Sequence, residues 1–544
     1  MPWLLFELPV AVQSTVPDLT KVRFALEPAL LLSTWALLQG RVRGRAPTIV
    51  LGVVAALLVA LRIDQWICLL LMNEEPLLYD QWFMLRHLGV LLGDLMSART
   101  LIVLLVVGLA GWGIAQLVRV ALDRARGLFV PPRRAHGLRG LGVFWAVALA
   151  LIATGASDPW LHALTPALAA NLRDSRAVYR DVQAGVARSP YADYDAIALH
   201  DKPDVLLFIV ESYGRLLSVE PGMRAAHAQR LAALEAELTR AGWHAASAFS
   251  TAPVSGGRSW IAEGSMLMGT SVRYESVFQH LVAARPPNLV GFLGAQGYET
   301  VLLVPADRDR PGARVVNRYG FSRVIAHAQL DYRGPSVGWG IVPDQFSLAV
   351  AEARVLSGGA RPVFLDFHMV SSHAPWEDVP ALVDDPLALG TGEVAPARSE
   401  LPGTGQVLAR LARYDRANER RFVDITDFDA RLRGGYEATI DYDLRLIARY
   451  LQSRPRDALV VVVGDHQPPV LARGDESFDA PVHVLARDAT RLSPLVDAGF
   501  APGLTLAGDA PPRLAHAGLF SLIAHALAAR GHAGPAPTLL LFGQ

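Results

Sequence analysis

Two runs in the first third of the chain, roughly 47–72 and 100–121, stay apolar for the length of a membrane span. A helical span needs about 20 such residues. Two shorter runs flank them, roughly 24–40 and 139–156, and the first carries Glu27 and Pro28. Together they predict an N-terminal multi-span α-helical membrane domain over 1–156, with about four helices. Hydrophobic residues make up 52% of the chain and its mean hydropathy is +0.28, which agrees with such a domain. The extreme N-terminus lacks a basic segment and further apolar runs follow. A removable signal peptide is therefore not expected.

Basic residues orient the spans. Arg41, Arg43 and Arg45 lie between the first and second runs, and Arg119, Arg124, Arg126, Arg133, Arg134 and Arg139 lie between the third and fourth. The connection 73–99 holds only Arg86 and Arg99, against Glu74, Glu75, Asp80 and Asp94. The two basic loops are expected on the cytoplasmic side. Both termini then lie outside, although Lys21 and Arg23 weakly oppose this. The expected location is the inner (cytoplasmic) membrane, multi-pass, with everything after 157 on the periplasmic or extracellular side. Arg62 and Asp64 either mark the end of the second span or line a polar groove for a lipid headgroup.

Residues 157–199 read as a helical linker. From 200 to 544 short Val/Leu-rich strands alternate with amphipathic helical stretches. Strands are predicted at 204–210, 300–305, 362–369, 458–464 and 481–487, and helices around 223–242 and 436–454. Continuous apolar strands separated by helices predict a parallel sheet covered on both faces. Residues 384–420 read as a long irregular insertion. The formal net charge is zero, which argues against nucleic acid as a main partner. The single cysteine, Cys68, sits in an apolar run. It excludes an intrachain disulfide, and no cysteine-based zinc site or thiol nucleophile is expected.

In open α/β sheets ligands bind beyond the carboxyl ends of the strands. Three predicted strands end there in polar chemistry. The strand 204–210 runs into Glu211-Ser212-Tyr213-Gly214, 362–369 into Ser371-Ser372-His373, and 458–464 into Asp465-His466. Glu, Asp and His together suit a divalent ion. The nearest hydroxyl candidate is Ser259, after Gly256, Gly257 and Arg258 and at the start of a predicted helix, "SWIAEGSMLM". A helix N-terminus favours an anion such as phosphate. A nearby metal would lower the hydroxyl pKa. Ser259 is equally read as a helix N-cap. Thr251 and Ser255 are the alternative nucleophiles.

The order of these motifs resembles the sulfatase-like phosphoglycerol transferase and lipoteichoic acid synthase group, within the alkaline phosphatase superfamily. It runs strand-Glu-Ser, Gly-Gly-Arg-Ser, Ser-Ser-His-x-Pro, then Gly-Asp-His. The resemblance covers roughly 200–490 and, more loosely, the anchor. It implies a C-terminal α/β sulfatase-like domain. It makes Glu211, Asp465 and His466 metal ligands and Ser259, in place of the family's threonine, both ligand and nucleophile. It implies one divalent metal ion, Mn2+ or Mg2+, with Zn2+ also used in the family. His373 would contact the substrate phosphate. Arg308 and Arg310 are candidates for the family's phosphate-gripping arginine, though their spacing departs from the pattern, and Arg258 is a third. True sulfatases modify a Cys or Ser in a [CS]-x-P-x-R motif. The sequence after Ser259 does not fit it, so sulfate-ester hydrolysis is disfavoured.

The expected activity is transfer of a phosphoglycerol-type headgroup. A phospholipid donor such as phosphatidylglycerol would supply it, through a phospho-serine, to a glycan or other envelope acceptor. The alternatives are a hydrolase with the same site, or an inactive sulfatase-like assembly module. Trp376 could stack on a sugar or simply pack. Asp441 and Asp443 are expected in local ion pairs on a helix. His368 is either structural or catalytic.

Overall fold

The computed structural model describes residues 191, 193–308, 315–335, 342–374, 376, 379, 381–391, 425–468, 471–472 and 477–542. It also describes 134–153, 161–162 and 164–184. Within 1–133 it describes only 24–25, 30, 33–34 and scattered positions between 53 and 83. The chain forms two compact units, 1–70 with 74–181, and 71–73 with 182–544.

In the first unit, helices run over Arg134–Ala153 and Leu164–Ala184. The Trp145 indole donates to Ser33 Oγ at 2.8 Å, and Asn171 and Ser175 accept from the backbone of Leu78 and Tyr79. The first of these helices leaves Val143 64% and Val147 53% exposed. Among the described residues, no helix is long and apolar enough to cross a membrane. The run at 100–121 lies outside the described residues, and so do most of 24–40 and 47–72.

The second unit is built on a nine-stranded sheet. Its strands are β1 (Asp204–Val210), β2 (His244–Thr251), β3 (Glu299–Val304), β4 (Arg323–Ala326), β5 (Val363–Met369), β6 (Ala458–Gly464), β7 (Asp479–Ala486), β8 (Ala501–Pro502) and β9 (Leu514–Ala515). The order across the sheet is β8-β2-β7-β6-β1-β5-β3-β4, with β9 beside β2. The helices that matter below are α1 (Arg224–Arg240), α2 (Ser259–Met268), α3 (Glu275–Ala284), α4 (Asp344–Ala351), α5 (Ile425–Ser453) and α6 (Leu519–Ala528).

Every residue of β1 and β6 is buried, because both faces of the sheet are covered. Side chains alternate along a strand. Val205, Leu207 and Ile209 therefore join one core, with Ile261 of α2, Phe278 of α3 and Leu522 of α6. Leu206, Phe208 and Val210 join the other, with Leu234 of α1, Phe346 of α4 and Ile447 of α5. Each such side chain contributes about 1.5–3 kcal/mol on burial.

The sheet is mixed, not parallel throughout. The strands β6, β1, β5, β3 and β4 run parallel to one another, but β7 runs antiparallel to both β6 and β2. The connection 465–478 contains no helix among its described residues. A parallel neighbour needs a crossover, whereas a direct return is antiparallel. The strand β2 is absent from the sequence prediction because "HAASAFST" is rich in Ala and Ser. Its buried hydroxyls are satisfied by histidines: Ser247 Oγ lies 2.7 Å from His483 Nδ1, and Ser250 Oγ 2.8 Å from His516 Nδ1. Of the expected insertion 384–420, residues 392–420 lie outside the described residues.

Candidate active site

Parallel pairing of β1 with β6 places Val210 opposite Gly464. The residues that follow, Glu211 and Asp465-His466, therefore emerge side by side at the carboxyl ends of the two strands. Ser212 Oγ donates to Glu211 Oε1 at 3.1 Å. The Asp465 Oδ1 accepts from the backbone N–H of Ser212 at 2.7 Å and of His466 at 2.8 Å. His466 Nδ1 sits 2.8 Å from the Gln467 carbonyl. A proton held there leaves the Nε2 lone pair facing the carboxylates, the arrangement typical of a metal-ligating histidine. His466 Nε2 is 3.3 Å from Glu211 Oε1 and 3.3 Å from Asp465 Oδ2.

Ser259 reaches the same point from across the sheet. Gly257 and Arg258 both take left-handed backbone conformations, φ 60° and 57°, and turn the chain sharply into α2. Arg258 is thus the N-cap, and Ser259 is the first helical residue. Its hydroxyl does not cap the helix. It donates to Glu211 Oε2 at 2.9 Å and lies 3.3 Å from His466 Nε2. Asp465 and His466 are buried, while Ser259 is half-buried and open to an incoming group. The alternative hydroxyls are engaged or enclosed: Thr251 donates to Asp479 Oδ1 at 2.8 Å, and Ser255 is buried.

The cluster demands positive charge. Burial raises the Asp465 pKa, and the Glu211 charge raises it further, to about 7. Burial opposes a charge on His466, but Asp465 and Glu211 outweigh it and lift the ring to about 9. Burial also opposes ionisation of Glu211, yet His466 and His373 hold it below the usual carboxylate range. Asp465 Oδ2 is buried without a hydrogen-bond partner. Two carboxylates, an imidazole and a hydroxyl around one point, with a carboxylate oxygen left over, fit a divalent cation.

The other predicted site residues fall at varying distances. His373 is half-buried and close enough for its charge to act on Glu211. Arg258 is buried, and a guanidinium N–H lies 3.5 Å from the Arg273 carbonyl. Arg308 is exposed beyond β3, where its charge acts on His327. Arg310 lies outside the described residues. Trp376 is 3% exposed, donates its indole N–H to the Ser372 carbonyl at 2.7 Å and packs on Tyr436, an arrangement that matches the packing reading.

Some supports carry no sequence motif. His516 sets Nε2 at 3.0 Å from the Gly464 carbonyl and 3.2 Å from that of Asp465, bracing the turn from a distant segment. Burial lowers its pKa to about 4, so it braces as a neutral ring. Tyr436 donates to the Ser212 carbonyl at 2.9 Å and accepts from Gly214 N–H at 3.3 Å. Asp443 departs from the ion-pair expectation. It is buried beside Asp344, whereas Asp441 does face Arg445 at 3.7 Å.

No family model matches the chain, and no curated protein matches it. Among solved structures it is similar to the lipooligosaccharide phosphoethanolamine transferase A of Neisseria meningitidis, at 12% identity and a TM-score of 0.45, over 97% of this chain and 95% of that one. It is similar to a lipoteichoic acid synthase of Listeria monocytogenes, at 13% identity and a TM-score of 0.37, over 67% and 80%. It is also similar to a phosphoglycerol transferase of Streptococcus pyogenes, at 13% identity and a TM-score of 0.34, over 54% and 71%. At such identities and scores, any function has to be argued from the site's own geometry.

Proposed function

We propose that the chain is a membrane-anchored, metal-dependent phosphotransferase that moves a phosphoglycerol-type headgroup through a phospho-serine. The observation that carries this reading is the 2.9 Å hydrogen bond from Ser259 Oγ to Glu211 Oε2, within reach of His466 Nε2. Glu211, Asp465, His466 and Ser259 would hold one divalent ion, Mn2+, Mg2+ or Zn2+. Such an ion supplies positive charge that favours the ionised hydroxyl and neutralises phosphoryl oxygens.

The chain's own residues do the rest. Glu211 and His466 aim the Ser259 oxygen. That oxygen bonds to the donor phosphorus as the bond from phosphorus to the diacylglycerol oxygen breaks. The serine proton is released, and the departing oxygen takes one up. An acceptor hydroxyl then forms its bond to phosphorus and gives up its proton, and the Ser259 oxygen leaves and takes a proton up. His373, whose charge acts on Glu211, would contact the phosphoryl oxygens. The apolar runs at 47–72 and 100–121, and the exposed Val143 and Val147, support an anchor that holds the site at the surface where the donor lipid resides.

The test is full-length protein incubated with headgroup-labelled phosphatidylglycerol and examined by mass spectrometry. Wild type should carry a phosphoglycerol adduct on the peptide containing Ser259, and Ser259→Ala should carry none. Label reaching a glycan marks a transferase, and label released free marks a hydrolase. Full turnover by Ser259→Ala would overturn the nucleophile assignment.

A further inference from the structure

A second group of His, Asp and Glu side chains lies between α2 and β5. Glu263 follows Ser259 by one turn of α2, and Asp366 and His368 alternate on β5, so they share one face. Glu263 is buried, Asp366 fully so, and the His368 side chain is 20% exposed. His368 Nε2 lies 3.5 Å from Glu263 Oε1 and 3.6 Å from Asp366 Oδ1. One donor atom from each residue falls within 4.8 Å of the other two.

Hydrogen bonding does not explain this group. Neither oxygen of Asp366 has a hydrogen-bond partner, nor does His368 Nε2. A buried carboxylate is ordinarily paired or bound to a metal. Ligands about 2.1 Å from a tetrahedrally coordinated zinc sit roughly 3.4 Å from one another. The spacing around His368 Nε2 is close to that edge. The first cluster, with its 3.3 Å contacts, has the same dimension.

We propose that Glu263, Asp366 and His368 bind a second divalent cation, separate from the ion assigned to Glu211, Ser259, Asp465 and His466. One imidazole and two carboxylates suit Zn2+ or Mn2+. The two sites share no residue but share α2, which carries Ser259 to one and Glu263 to the other. An ion at the second site ties α2 to β5 and so fixes the helix whose first residue is Ser259. This inference stands on the geometry of the second cluster and does not depend on the reaction proposed above.

The experiment is a metal count on full-length protein in detergent. The protein is stripped with chelator, reloaded with Zn2+ or Mn2+, desalted and analysed by mass spectrometry of the elements. Wild type should hold two ions per chain, Asp465→Asn one, and Glu263→Gln one. The double variant Asp465→Asn/Glu263→Gln should hold none. A wild-type count of one with Asp465→Asn at zero overturns the proposal, and so does an ion that persists in the double variant. If variants of the second cluster do not fold, wild type and Asp465→Asn decide it alone: two and one support it, one and zero refute it. Failure of the Ser259 adduct experiment would leave these counts unaffected.

Discussion

Gly464 and Tyr213 touch backbone to backbone: a Cβ on Gly464 would lie 1.8 Å from the Tyr213 carbonyl oxygen. The turn after β6 therefore packs directly on the turn after β1, and that contact sets the separation between Asp465 and Glu211. Gly464→Ala must push the two turns apart. Overpacking of this kind costs about 1–3 kcal/mol. A displacement near 1 Å at reacting groups costs on the order of 10²-fold in rate. We expect a lower Tm and loss of most metal binding and transfer. Unchanged metal affinity would show that the turns can separate without moving the ligands.

Metal removal should destabilise the catalytic unit. A cation that binds only the folded state, present at 100 times its Kd, adds about 2.7 kcal/mol. Chelation should therefore lower the Tm, and readdition should restore it in a concentration-dependent way. Asp465→Asn should lose the part of this response due to the first site. An equal response in that variant would place the stabilising ion elsewhere.

Ser259→Thr keeps the hydroxyl and should retain the covalent adduct, with reduced turnover from the added methyl beside Glu211. Ser259→Ala should lose on the order of 10³-fold or more in transfer. Single-turnover assays with labelled lipid separate adduct formation from its breakdown. Equal rates for the two variants would count against a role for the hydroxyl.

Arg454 and Asp204 form a buried pair at the start of β1. Asp204 also receives Arg456 Nε at 3.1 Å and accepts from Val363 N–H at 2.8 Å. Arg454→Met leaves a buried carboxylate short of a partner and should cost about 3–5 kcal/mol. Urea unfolding of the catalytic unit measures this, and adding Asp204→Asn should recover part of the loss. A cost below about 1 kcal/mol would mean that Arg456 pairs Asp204 sufficiently by itself.

Asp344 and Asp443 predict a pH effect. Burial raises Asp344 to about 6, even though it accepts from the backbone N–H of Ser371 at 2.7 Å. Burial and the neighbouring Asp344 charge raise Asp443 well above its ordinary value. Both carboxyls bind protons more tightly folded than unfolded. Their contribution to stability is therefore fully present below about pH 4 and is lost as pH rises through 6 and beyond. Asp443→Asn removes one of the two carboxyls that must stay protonated in the folded state. The Tm difference, variant minus wild type, should grow from pH 5 to pH 8. A difference that shrinks over that interval would contradict the assignment.

The strand-end residues were readable in the sequence because each follows a run of branched or aromatic side chains that can only be buried strand. That logic found β1, β5 and β6, and with them Glu211, Asp465 and His466. It did not find β2, whose Ala and Ser carry no such pattern, nor the reversal of β7. It marks His368 as either structural or catalytic, but not the groups that lie opposite it: Glu263 and Asp366 sit inside a helix and a strand, with no spacing that marks them. His516 and Tyr436 reach the site from distant segments.

By itself the sequence determined the apolar runs of the first third, the alternation that buries both faces of the main strands, and the chemical types at the strand ends. Only the tertiary structure decided which of those ends meet. The register that sets Val210 against Gly464 brings Glu211 beside Asp465, and the left-handed Gly257-Arg258 turn carries Ser259 to them. Periodicity is a local property of the chain. A site made from three separate segments is a property of how the sheet pairs, and pairing is selected by the packing of the whole core.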